Sequence, residues 1–428
     1  MDKSLVTRTT SRVGGGAMAS SAGLLLATVV GSAACKFPYP ADVTADDATS
    51  DATPAVDARH RTGALIGDHQ AADFVLGAVD FMSNGNATVD ARYLAAAISF
   101  SGSGDRLWAA DTSVARVALY EPFPTTNDPS AAFALGRATL NETGDASSVT
   151  AANFGSLSAV QEVAGRLLVV DRARHRVLLW STIPTEGSTP ADLVLGQSTF
   201  DASAPGAGPA QLNSPFGVWS DGQRVVVADT GNNRVLIWRT FPTRNGQPAD
   251  GVLGQSALDQ ATEPTSPEAT TLLHPTSIAS DGDRLVVADT GFHRILIWKR
   301  FPSSSAEPAD VAVAAPNLNS EGRLSFPADP HDFGMQVGGV ALFDGALFVA
   351  DTYNDRVLVY DPAPEASIED VTAGARVLGQ TAPAIVVVDQ PATARTLNGP
   401  SGLGVVNGYL LVGDGQNGRT LGYRLNLE

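Results

Sequence analysis

Few groups in this chain have types and spacing suited to chemistry. Three of its six histidines, His274, His293 and His331, would suit zinc or another borderline metal if the fold gathers them. His331 also stands between carboxylates, Asp329 and Asp332, an arrangement able to move a proton. A third set is larger. Asp111, Asp171, Asp229, Asp289, Asp351 and Asp414 recur at near-constant spacing, and a ring of carboxylates is a site for a cation such as calcium. Each of these acids, however, has an arginine five residues on: Arg116, Arg176, Arg234, Arg294, Arg356 and Arg419. An acid with its own guanidinium reads better as half of an ion pair than as a metal ligand. The single cysteine, Cys35, excludes a disulfide scaffold and a cysteine zinc cluster. Phosphate-cradling loops, nucleophile elbows, H-E-x-x-H pairs and EF-hand loops are absent from the sequence.

The elements that must position these residues are copies of one unit. RVVVADTGNNRVLIW at 224–238 has relatives at 106–120, 166–180, 284–298, 346–360 and 409–423. All six copies share the Asp, the Arg and an aromatic four residues after the Arg: Tyr120, Trp180, Trp238, Trp298, Tyr360 and Tyr423. Between copies a second motif returns, as FVLG at 74–77, FALG at 133–136, LVLG at 193–196, GVLG at 251–254 and RVLG at 376–379, decayed to VAVAA at 311–315. A glycine repeated inside a short apolar run marks a bulge or a close backbone neighbour.

Each unit reads as four short strands. In the third, Phe216–Ser220 is strand a, Arg224–Asp229 strand b, Arg234–Arg239 strand c and Ala249–Gln255 strand d. Runs such as VVVA and VLIW are apolar without alternation, so both faces of each sheet are buried. Such sheets, repeated at a fixed period of about 60 residues, stack as blades around an axis. The body opens with a d strand, Asp73–Gly77, and closes with a c strand, Arg419–Leu425. The fold class expected is therefore all-β: a six-bladed β-propeller of four-stranded antiparallel blades. Its last blade is closed 1+3 by the N-terminal strand, which removes a free sheet edge. Asp and Arg then face each other across the b–c hairpin as a structural latch, with the aromatic filling the gap between blades. The b–c turns and d–a loops emerge on one face, which would carry His175, His274, His293 and His331. His274 is expected to replace Asn213 and Asn398 of sister loops.

VVADTGNNRVLIW and VVADTGFHRILIW resemble the NHL repeat, over about residues 64–428. The resemblance implies a propeller and leaves function open, because NHL propellers include peptide-amidating lyases, RNA-binding domains and extracellular sensors. It also implies that His175 and His293 occupy a position commonly filled by Asn or His, as Asn233 and Asp355 do here. The lyase branch supplies one alternative: a metal-assisted lyase or lactone hydrolase, with His274, His293 and His331 as ligands and Asp332 as base.

The amino terminus reads as an address. Lys3, Arg8 and Arg12 precede an apolar run, Ala17 to Ala34, that ends in small residues before Cys35. SAAC at 32–35 resembles the lipobox of bacterial lipoproteins, with Ser32 where that family usually has Leu. The resemblance implies lipid attachment at Cys35, and Lys36 after it favours the outer membrane. Release as a secreted protein is the alternative. Residues 36–63, rich in Asp, Ala, Thr and Pro, read as a disordered tether. The net charge of −17 disfavours nucleic acid and anionic lipid as partners. The expectation is a monomeric, extracytoplasmic binding or scaffold module without a cofactor, recognising a protein, a peptide or an envelope polymer, and more a binder than an enzyme.

Overall fold

The computed structural model describes residues 64–142, 148–322, 331–333, 337–388 and 390–427. The expected signal peptide, Cys35 and the tether lie outside these residues. The described chain begins with β1 (Phe74–Leu76). Blade 1 follows as β2 (Ala97–Ser101), β3 (Leu107–Asp111), β4 (Arg116–Tyr120) and β5 (Phe133–Leu135). Blade 2 is β6 (Leu157–Val163), β7 (Arg166–Asp171), β8 (Arg176–Trp180) and β9 (Leu193–Leu195). Blade 3 is β10 (Val218–Ser220), β11 (Val225–Asp229), β12 (Arg234–Trp238) and β13 (Gly251–Leu253). Blade 4 is β14 (Pro275–Ser280), β15 (Leu285–Asp289), β16 (Arg294–Trp298) and β17 (Val311–Val313). Blade 5 is β18 (Val337–Phe343), β19 (Ala346–Asp351), β20 (Arg356–Tyr360) and β21 (Ala375–Leu378). Blade 6 takes β22 (Pro400–Val406), β23 (Tyr409–Asp414) and β24 (Arg419–Arg424) from the tail, and β1 from the head.

The fold is an all-β, six-bladed propeller of antiparallel four-stranded sheets. Its closure is the one expected: β1 pairs with β24, Phe74 opposite Gly422 and Leu76 opposite Thr420. Because β-branched and aliphatic residues fill both faces of strands b and c, each sheet has two apolar faces to cover. Six apolar clusters do this, one at each blade-to-blade seam. The repeat aromatics occupy these seams, as Trp180 does against blade 1 and Trp238 against blade 2. They also hold the c–d loops, since the Nε1 atoms of Trp180, Trp238 and Trp298 donate to Thr189 O, Gln247 O and Glu307 O at 3.1, 2.9 and 2.9 Å. The innermost strands are buried almost throughout, so the ring's axis is packed shut rather than an open channel.

The structure refines the strand bounds. Strands d are short, Gly251–Leu253 rather than Ala249–Gln255 in blade 3, and strand a there begins at Val218, not Phe216. The decayed VAVAA still forms β17, and Ala314 takes the left-handed backbone (φ 71°) that Gly254 holds elsewhere (φ 86°). That glycine also has a close backbone neighbour: a Cβ at Gly254 would meet the carbonyl of Asn233, in the b–c turn.

Candidate functional site

The b–c turns and d–a loops share one face, called here the b–c face, and the repeat residues build it. In blades 2 to 6 the chain leaves strand b through one turn of 3₁₀ helix, capped by a left-handed residue: His175, Asn233, His293, Asp355 or Gly418. The turn returns Arg beside Asp, and the expected latch forms. Arg Nε donates to Asp Oδ2 at 2.9 Å for Arg176–Asp171, 2.7 Å for Arg234–Asp229 and 2.8 Å for Arg294–Asp289. Arg356–Asp351 and Arg419–Asp414 are both 2.7 Å. Both partners are buried in every blade.

The latch reaches further than a hairpin. Asp229 Oδ1 accepts the Asn213 N–H from the loop before its blade. Arg234 gives its other nitrogens to carbonyls of Ala207, Gly208 and Gln211 in that loop, and of Leu258 in the loop after it. One buried guanidinium thus ties three segments together. In blades 3, 5 and 6 an asparagine (Asn232, Asn354 or Asn417) also donates to the acid. Blade 4 has Phe292 there, and burial, less offset by Arg294, pushes the Asp289 carboxyl up to about 6.

Blade 1 corrects the expectation. Asp111 turns to Ser113, whose N–H and Oγ donate to Oδ1 at 3.1 and 2.5 Å. Asp111 Oδ2 and Arg116 Nε have no hydrogen-bond partner, although Arg116 still reaches the carbonyls of Asp90 and Tyr93. The turn TSVA puts a hydroxyl two residues after the acid, and the nearer donor wins. A further buried carboxylate, Glu162, is satisfied by Ser103, Arg106 and Trp108 of blade 1 and ties that blade to blade 2.

The histidines lie on the face expected but do different work. His175 Nδ1 accepts the Ser214 N–H at 2.8 Å, across the seam to blade 3. Asn233 Oδ1 does the same for the His274 N–H at 3.0 Å, and Asp355 Oδ1 for Gly399 at 2.7 Å. In blades 2, 3 and 5 the capping residue is therefore a staple between blades. His274 itself is exposed, and it aligns with Ser214 and Gly399 rather than with Asn213 and Asn398; Leu273 holds the asparagine position, giving its N–H to Asp289. His293 occupies the capping position of blade 4, but its buried Nδ1 has no hydrogen-bond partner among the described residues. His331 is exposed on the rim, its Nδ1 3.0 Å from Asp370 Oδ2 in a c–d loop. Asp329 lies outside the described residues. Asp332 is buried, and its carbonyl accepts from Asn354 and Arg356. Among the described residues no three His, Cys, Asp or Glu side chains come together in a metal-sized group, so His274, His293 and His331 are not joined as a ligand set there.

The staple makes a pH prediction. An N–H can only donate, so His175 Nδ1 is bare and the ring proton sits on Nε2. Burial, with Arg172 beside it, holds this imidazole below its ordinary range. Its stabilisation is full above the unfolded-state value near 6.5. It is lost as pH falls through the lower, folded-state value. His175→Asn should keep the bond without the titration, and His175→Ala should cost about 1 kcal/mol at pH 7.5. Urea midpoints at pH 7.5 and 5.5 check this: the wild type should lose more stability between them than His175→Asn. Equal losses would refute the staple.

Two features of this face escaped the sequence reading. After the recurring glycine, Gln197, Gln255 and Gln380 each donate to a carbonyl of the capping residue and to a carbonyl seven residues on, clasping the loop to the turn. The signal was visible as LGQ in three copies. The second is apolar. Of seven exposed large hydrophobic residues among the described ones, six lie on the b–c face of blades 5 and 6: Val79, Met82, Tyr353, Ile385, Val387 and Val388. Gln380 joins the Tyr353 turn to the Val387 backbone, so these are neighbours.

Fold and face together define the class, a six-bladed propeller with one decorated face. No protein-family model matches the chain, and no curated protein matches it. Among solved structures it is similar to one of streptogramin B lyase, at 9% identity and a TM-score of 0.40 over 78% of this chain and 80% of that one.

Proposed function

We propose that this chain is an extracytoplasmic, NHL-type propeller, held to the bacterial envelope by lipid at Cys35, that binds a protein or peptide partner through the b–c face of blades 5 and 6. One observation carries the reading: the exposed large apolar side chains of the described residues gather there, while blades 1 to 4 show none. Soluble surfaces seldom leave such a cluster open unless something covers it. The point of attachment supports it. Leu65 gives its N–H to Asp361 and its carbonyl accepts from Asn426, both just past the ends of strands c. The chain thus joins the ring on the face opposite the apolar sector.

The test is photo-crosslinking in cells from positions 82 and 387, with exposed Asp283 on the opposite face as control. A discrete adduct from the first two and not from the control is expected, lost on Val387→Asp. Equal labelling from all three sites, or none, defeats the proposal. The address is read from the same cells: Cys35→Ala should move the protein from the membrane to the soluble fraction.

A further inference from the structure

Going round the b–c face, the residue after the repeat Asp is Thr112, Arg172, Thr230, Thr290, Thr352 and Gly415. Three of the threonines bond across a seam to the next blade near the axis: Thr112 to Ser156, Thr230 to Pro275 O and Thr352 to Pro400 O. Blade 2 breaks this ring. Its Arg172 lays the guanidinium over the Phe216 ring of blade 3, Cζ 4.8 Å from the centroid. The side chain is half-buried, and no carboxylate or carbonyl among the described residues accepts from it. This guanidinium has lost water without gaining an acceptor, in a chain of net charge −17 rich in acids that could have paired with it.

A second donor stands next to it. His175 is the left-handed cap of the same 3₁₀ turn, and its ring reaches Ser214, two residues before Phe216. Ser214 occupies its Nδ1, so Nε2 carries a proton that no described residue accepts. Across the mouth of the ring, in blade 5, Tyr353 is 44% exposed where blades 3 and 4 have Gly231 and Gly291. Beyond it lies the apolar sector.

We propose that Arg172 and His175 form a carboxylate site at the seam of blades 2 and 3, for a ligand whose carboxylate is joined to an apolar body. The planar guanidinium fork matches a carboxylate in two parallel bonds, and stacking on Phe216 fixes its plane while leaving its edge free. The proposal rests on reading the b–c face as a binding surface.

The probes are 4-phenylbutyrate, its neutral amide, and phosphate and sulfate at equal ionic strength, added to the full chain. Binding is followed by the Arg172 Nε–H resonance and by melting temperature. Saturable binding of the acid and none of the amide is expected. Arg172→Thr restores the residue of the sister blades, should melt normally, and should bind the acid about tenfold or more weakly. Binding of the amide, equal binding by phosphate or sulfate, binding retained in Arg172→Thr, or no saturation would each overturn the proposal. Acid binding without crosslinks from positions 82 and 387 would remove the protein-binding reading and leave the carboxylate site standing.

Discussion

Replacing Arg234 by Met should cost about 3–5 kcal/mol, the range for breaking a buried ion pair from one side. The reason is what remains. Asp229 stays fully buried with only the Asn213 N–H and the Asn232 amide on its oxygens. The carbonyls of Ala207, Gly208, Gln211 and Leu258 lose a donor at the same moment. An unmade bond to a buried group is more expensive than a made one is favourable. Adding Asp229→Asn should therefore recover part of the loss, because it removes the stranded charge. Blade 1 is the internal control. Its Asp111 already lacks the arginine bond and burial pushes its carboxyl up, so Asp111→Asn should cost about 1 kcal/mol or less. Urea midpoints at constant slope measure all three variants. If Asp111→Asn and Arg234→Met cost the same, the stability does not come from the latch.

The contrast between these blades shows which features the sequence could carry. Blade count, closure and latch were legible because each is fixed by short-range pattern: a five-residue Asp-to-Arg interval, an aromatic four on, and a head strand that the tail lacks. The failure at Asp111 was not legible by the same rule. Its motif residues are intact, and the outcome turned on Ser113, a competing donor two residues away. The histidines show the second limit. Their face followed from topology alone. Their work depended on a bond across a seam, between residues 39 apart for His175 and Ser214, which no local pattern encodes. The one-residue shift at His274 has the same origin, because loops align by their bonds to the next blade and not by residue type. Arg172 and Tyr353 stand in the sequence as departures from Thr and Gly, but the stacking of one on Phe216 across a seam and the exposure of the other depend on packing that no local pattern encodes.

Gly422→Val should open the ring. Gly422 faces Phe74 across the β1–β24 pairing that joins head to tail, and a Cβ there would land in the Phe74 ring. Phe74 is fully buried and packs edge-on against Phe123 and Tyr409, with centroids 6.0 and 5.4 Å away, so the ring has no room to retreat. Expelling it forfeits the burial of a phenylalanine, about 3–5 kcal/mol. It also releases β1 and leaves the outer edge of β24 unpaired, a template for other chains. Phe74→Ala separates the two effects: it should cost a similar amount through the cavity while β1 stays paired. Combining Gly422→Ala with Phe74→Ala should recover part of the loss, since the added methyl then enters space the ring has vacated. Hydrogen exchange reads closure directly. In Gly422→Val the amide of Leu76, opposite Thr420 of β24, should lose protection and the protein should associate on a sizing column, while the amides of β11 and β12 stay protected. Full protection at Leu76 in that variant would mean that the ring stays shut without its head strand packed, and that Phe74 is ordinary core.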